Sequence, residues 1–209
     1  MPPRIGGAPR QLVVLLHGLG ADGRDLLGLA PALAERLPRA AFHAPDAPHP
    51  CDMAAYGRQW FSLQDRRPQA MLQGAARAAP ALDAFVDALL ARYGLGDDRL
   101  ALVGFSQGTM MALHAALRRP RPAAAVLGYA GALVGAELLA AEARSRPPVM
   151  LVHGDADDVV PVGAMFLAVE GLGVAGVPVQ WVLRPGLPHS VDPEGLEIGG
   201  RFLGSVLPG

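Results

Sequence analysis

Along this chain, short uninterrupted apolar runs alternate with longer stretches in which apolar residues return every three or four positions. Short runs rich in Val and Leu, bounded by turn formers, predict strands. Six qualify: Gln11 to Leu16, Ala40 to Ala44, Leu100 to Gly104, Ala124 to Tyr129, Val149 to His153 and Val177 to Leu183. Four of them carry no polar break, as expected of strands buried on both faces. Between them, Leu26, Leu29, Leu33 and Leu37 form a stripe that predicts a helix over Asp25 to Arg36. Leu82, Phe85, Val86, Leu89 and Leu90 predict a second over Pro80 to Tyr93, stopped by Gly94. A third, Gln107 to Arg119, turns Met110, Leu113 and Leu117 inward. A last helix follows Asp192 as N-cap, with Pro193 at its first position, where a missing N–H costs nothing. Strand and helix in alternation predict an α/β fold: a mostly parallel central sheet with helices on both faces. One stretch, about residues 45–70, breaks the pattern. It holds Pro45, Pro48, Pro50 and Pro68 and no clear period, and long irregular segments in compact domains tend to carry function.

Composition narrows the function classes. A chain of 209 residues suits one domain with a single core, residues 1–209. With 51% hydrophobic residues and a net charge of −1, disorder is excluded and no basic footprint for nucleic acid exists. The single cysteine, Cys51, cannot form an internal disulfide, which points to a reducing compartment. MPPRIGGAPRQ lacks the apolar run of a signal peptide, and no stretch reaches the roughly 20 apolar residues of a membrane span. A cytoplasmic protein without integral membrane association is expected. His43, His49 and His114 have no partners at metal-ligand spacing, so no metal is expected.

The candidate chemistry begins at Gly104-Phe105-Ser106-Gln107-Gly108. This GxSxG follows a buried run and opens a helix, the context in which the pattern forms a nucleophile elbow rather than an ordinary turn. A serine hydroxyl needs a base, and the base needs a partner that holds its tautomer. Asp155, Asp157 and Asp158 follow the strand ending at His153, and His189 follows the last strand, so nucleophile, acid and base occur in the order expected of this motif. Asp157 is preferred as the partner of His189. Asp155 is better placed to tie its own loop through backbone hydrogen bonds, and Asp158 ranks third. An oxyanion requires donors, and the backbone N–H groups of Gln107 and of Leu19, in the Gly-rich LHGLGADG after the first strand, are the candidates. LHGLGADG matches neither phosphate-binding pattern, GxxxxGK[ST] nor GxGxxG. His17 and His153 are expected to orient loops near the site. Met53, Tyr56, Trp60 and Phe61 lie in the irregular stretch, either as a lid's own small core or as the wall of an apolar substrate site.

HGLGADG, Trp60-Phe61, GFSQG, HGDADDVVP and the terminal HSV together resemble the acyl-protein thioesterase, lysophospholipase and bacterial carboxylesterase family of small α/β-hydrolases. The resemblance runs from about Leu12 to the C-terminus. It implies an α/β-hydrolase fold without a large cap domain, a Ser106, Asp157 and His189 triad, an oxyanion hole at Leu19 and Gln107, and no cofactor. It implies an acyl ester or thioester as substrate and a groove shaped around Cys51 to Phe61, with Met53, Trp60 and Phe61 as substrate-binding residues. It also admits a homodimer. Pro188 and the segment SLQD after Phe61 depart from the family's pattern and bear on acyl preference. The expected activity is a serine carboxylesterase for short to medium acyl chains. Rival readings are a non-catalytic binding protein on the same scaffold and an acyltransferase or C–C hydrolase using the same triad.

Overall fold

The computed structural model describes residues 1–209. The first half of the chain forms β1 (Gln11–Leu16), α1 (Gly23–Leu27), α2 (Ala30–Arg36), β2 (Ala40–His43), β3 (His49–Pro50), β4 (Arg58–Gln59) and α3 (Pro68–Tyr93). The second half forms β5 (Leu100–Phe105), α4 (Gln107–Arg118), β6 (Ala125–Tyr129), α5 (Ala136–Glu142), β7 (Val149–Gly154), α6 (Gly163–Val174), β8 (Val179–Arg184) and α7 (Pro193–Val206). Six strands make one sheet in the order β2-β1-β5-β6-β7-β8, and every neighbouring pair is parallel.

The unbroken apolar runs are explained by what covers the sheet. In β1, Leu12, Val14 and Leu16 face a core built with α3, α4, α5 and α6, while Val13 and Leu15 face a second core built with α1, α2 and α7. A strand sandwiched this way leaves no position for a polar side chain. Each fully buried Leu or Val contributes about 1.5–3 kcal/mol relative to exposure, so the two cores dominate the stability of the sheet.

Several element boundaries differ from the periodicity. The helix expected over Asp25 to Arg36 is two helices, because Pro31 has no N–H for the Leu27 carbonyl and its ring crowds that carbonyl. α3 begins at Pro68 rather than Pro80. Pro80 and Ala76 are both exposed, so the carbonyl left without a partner faces water, and the helix runs through. α6 has apolar residues on nearly all sides and therefore shows no stripe. β8 begins at Val179, after Pro178, and is an edge strand with Gln180 and Trp181 exposed; the Trp181 ring meets Phe166 of α6 edge-on at 5.4 Å. Within the irregular stretch, β3 and β4 pair antiparallel over two residues.

Because all six strands run the same way, their carboxyl ends lie along one edge of the sheet. The loops after β1, β5, β7 and β8 gather there, which is where open α/β sheets hold their ligands.

Candidate active site

Ser106 follows β5 and caps α4 with φ 54° and ψ −118°, a region that residues with a Cβ rarely adopt. The strain persists because the surroundings leave no alternative. The Ser106 N–H donates to the Tyr129 carbonyl at 2.9 Å, and the Thr109 hydroxyl lies 2.9 Å from both the Gly104 and Tyr129 carbonyl oxygens. The two glycines are obligatory for close approach: a Cβ on Gly104 would lie 2.4 Å from the Gly108 carbonyl, and one on Gly108 would lie 1.8 Å from the Leu16 carbonyl oxygen. The result holds the serine side chain at the sheet edge, beside the N-terminus of a twelve-residue helix.

Of the three acids after β7, only Asp157 is buried; Asp155 and Asp158 are exposed. Asp157 Oδ1 accepts from the N–H groups of Val159 at 2.9 Å and Val160 at 2.8 Å, and Oδ2 accepts from His189 Nδ1 at 2.7 Å. Burial pushes the Asp157 carboxyl up, but the hydrogen bonds from His189, Val160 and Val159 outweigh it and leave the group below the ordinary carboxylate range. An ionised carboxylate only accepts, so the hydrogen sits on His189 Nδ1 and a neutral ring keeps its lone pair on Nε2. Asp155 instead accepts from the Gly186 N–H at 2.6 Å, tying the β7 loop to the loop that carries His189. The His189 ring packs at 4.9 Å from the ring of Phe105, the residue before Ser106. No hydrogen bond joins the Ser106 hydroxyl to His189.

The loop after β1 reaches the elbow directly, since a Cβ on Gly18 would lie 3.4 Å from the Ser106 Cβ. The Leu19 N–H has no acceptor within the chain, and Gln107, as first residue of α4, has no intrahelical acceptor for its own. Trp60 and Phe61 are 1% and 4% exposed and stand behind the site, within the larger core, whereas Met53 is 48% exposed. The indole N–H explains the position of Trp60: it needs an acceptor when buried and finds the His17 carbonyl at 3.0 Å. No three His, Cys, Asp or Glu side chains converge as a metal site.

A sequence model of the phospholipase/carboxylesterase family matches residues 6–207 of this chain. The chain belongs to that family. Among its relatives, esterase YpfH of Escherichia coli (strain K12) is 28% identical over 208 residues, 95% of this chain and 84% of its own. A probable carboxylesterase of Oryza sativa subsp. japonica is 30% identical over 200 residues, 90% of this chain and 74% of its own. An acyl-protein thioesterase 1 of Gibberella zeae is 35% identical over 120 residues, 55% of this chain and 51% of its own. The crystal structure of esterase PE8 matches with a TM-score of 0.93 at 44% identity, covering 99% of this chain and 97% of that one. As a member of the phospholipase/carboxylesterase family with these relatives, the protein is a serine hydrolase of the α/β-hydrolase fold. No helix is long and apolar enough to cross a membrane.

Two residues at the site carry more than their positions in the sequence announced. His153 Nε2 donates to the Val160 carbonyl at 2.8 Å and lies 3.2 Å from Asp157 Oδ2, so a second imidazole packs beside the same carboxylate. The Gln107 side chain is wholly buried and bonds across to Trp60 and Phe61. The one signal in the sequence is a long polar side chain opening a helix that is buried along nearly its whole length.

Proposed function

We propose that this family member is a carboxylesterase acting through an acyl-enzyme on Ser106. His189 Nε2 takes the hydroxyl proton as the serine oxygen attacks the ester or thioester carbonyl carbon. The carbonyl electrons move to oxygen, and the N–H groups of Leu19 and Gln107 stabilise that oxyanion. The tetrahedral intermediate collapses, the imidazolium gives its proton to the departing alcohol or thiol, and the serine keeps the acyl group. Water, deprotonated by the same imidazole, then releases the carboxylic acid and restores the serine. Asp157 holds the tautomer and stabilises the imidazolium.

The observation that carries this reading is the 2.7 Å bond from His189 Nδ1 to the buried Asp157, on a ring packed against the residue preceding the strained Ser106. The names of the relatives cover both oxygen and sulfur leaving groups, and the proposed substrate is a small acyl ester or thioester. Ser106→Ala is expected to lower hydrolysis of p-nitrophenyl butyrate by a factor on the order of 10⁴ or more, because triad members act as one unit. Intact mass after treatment with a fluorophosphonate should show one adduct on the native chain and none on the variant. Undiminished turnover by Ser106→Ala would end the assignment. A panel of p-nitrophenyl esters of graded chain length beside acyl thioesters then ranks acyl length and leaving group.

A further inference from the structure

The two backbone donors assigned to the oxyanion, Leu19 N–H and Gln107 N–H, sit on loops remote from each other in sequence. A hole made of two such donors works only if their separation is held to a fraction of an ångström. The structure contains a buried chain of side-chain hydrogen bonds running from one donor to the other. Gln107 Oε1 accepts from the Trp60 N–H at 2.9 Å, and Gln107 Nε2 donates to the Phe61 carbonyl at 2.8 Å. The Trp60 indole N–H donates to the His17 carbonyl at 3.0 Å, and the two rings lie 5.8 Å apart. His17 Nε2 accepts from the Ala47 N–H at 3.0 Å, which leaves the hydrogen on Nδ1, and Nδ1 lies 2.7 Å from the Gly18 carbonyl oxygen. That carbonyl belongs to the same peptide as the Leu19 N–H. In a trans peptide the two groups point oppositely, so pinning the carbonyl aims the N–H away from His17.

Every nitrogen and oxygen of the three side chains is used, and all three residues are buried. A second set of bonds makes the middle of the chain rigid. Gly20 N–H donates to the Arg58 carbonyl and Arg58 N–H to the Ala21 carbonyl, each at 2.9 Å. Gly57, at φ +86°, approaches so closely that a Cβ would lie 2.0 Å from the Gly20 carbonyl oxygen. The segment around β4 is thus stitched to the loop after β1.

We propose that Gln107, Trp60 and His17 are positioning residues: their linked side chains set the Leu19 and Gln107 N–H groups in register for the transition-state oxyanion. The proposal rests on the triad and oxyanion reading above. It explains why a buried Gln follows the nucleophile, where the backbone donor alone would accept any small residue.

The test pairs Trp60→Phe, which keeps a ring and removes one link, with Gln107→Glu, which can still accept from Trp60 but no longer donates to Phe61. With p-nitrophenyl butyrate, each variant is expected to lose about 10- to 100-fold in kcat with KM within about threefold of the native value. Affinity for an alkyl trifluoromethyl ketone, which forms a tetrahedral oxyanion adduct, should fall by the same factor as kcat/KM. Links of one chain should also be non-additive, so the double variant should lose little more than the worse single one. Unchanged kcat, a ketone affinity that stays at the native value while kcat falls, or fully additive losses would each overturn the proposal. Should Trp60→Phe fail to fold, Gln107→Glu alone decides on the kcat and ketone criteria. Ser106→Ala separates the two levels: native hydrolysis that survives it refutes the triad reading, whereas hydrolysis that depends on Ser106 but not on Trp60 or Gln107 refutes only this inference.

Discussion

His114 lies in the middle of α4, 3% exposed, with no partner for Nδ1. Burial, aided by the charge of Arg118, pushes its pKa down to about 4, against about 6.5 in an unfolded chain. Well above pH 6.5 the ring is neutral in both states and contributes no pH dependence. As pH falls from about 6.5 toward 4, the unfolded chain binds a proton that the native state refuses, so native stability declines by about 2 kcal/mol between pH 7 and pH 5. His114→Leu should remove that component. Urea midpoints at the two pH values, measured for both proteins, check it; equal acid losses would show that the ring titrates alike in both states. The same contrast between sequence and burial governs the acids after β7. Three aspartates within four residues are chemically alike, and what distinguishes Asp157 is that its carboxylate is buried against His189 while Asp155 caps a loop in solvent.

α3 shows how an exposed defect is tolerated in an element. Its 26 residues run through Pro80, whose missing N–H leaves the Ala76 carbonyl to water. Pro80→Ala should restore that bond and stabilise the protein by about 1 kcal/mol, the gain in helix being partly offset by a more flexible unfolded chain. Denaturant unfolding provides the measurement, and a destabilised variant would mean that the proline packs usefully. A rule that places proline at a first helical turn fits Pro68 and Pro193 but misplaces the start at Pro80. The stripe method found α4 and missed α6, because α6 is apolar on nearly all sides and period carries no information there.

Across the molecule, one ionic cluster ties the helices on one face of the sheet to the turn before β5. Arg119, 5% exposed, bonds Asp97 at 2.7 Å, Asp83 at 2.9 Å and Asp87 at 2.5 Å, while the largely exposed Arg121 also reaches Asp97 at 2.8 Å. Asp83 and Asp87 belong to α3, Arg119 follows α4, and Asp97 precedes β5. Arg119→Met should cost about 3 kcal/mol, because it takes the buried partner from the one buried carboxylate, Asp97, whereas Arg121→Met should cost less than about 1 kcal/mol. Thermal or urea unfolding of the two variants separates them, and equal losses would count against the buried cluster. Sheet order works at the same level: with β5 central and all strands parallel, loops from β1, β5, β7 and β8 must meet along one edge.

The order of residue types along the chain was enough to determine the alternating strands and helices, the parallel sheet and the turn at Ser106, and it set out the candidate nucleophile, acid and base in sequence. These are local or periodic properties, set by side-chain volume, backbone preference and spacing. That Trp60 and Phe61 stand behind the site, and that Gln107, Trp60 and His17 form one linked chain, were decided by folding, which also buries Asp157 against His189, the pairing the sequence already preferred. Each depends on which groups lose water together and must find partners among residues far away in sequence, and no local pattern records that pairing.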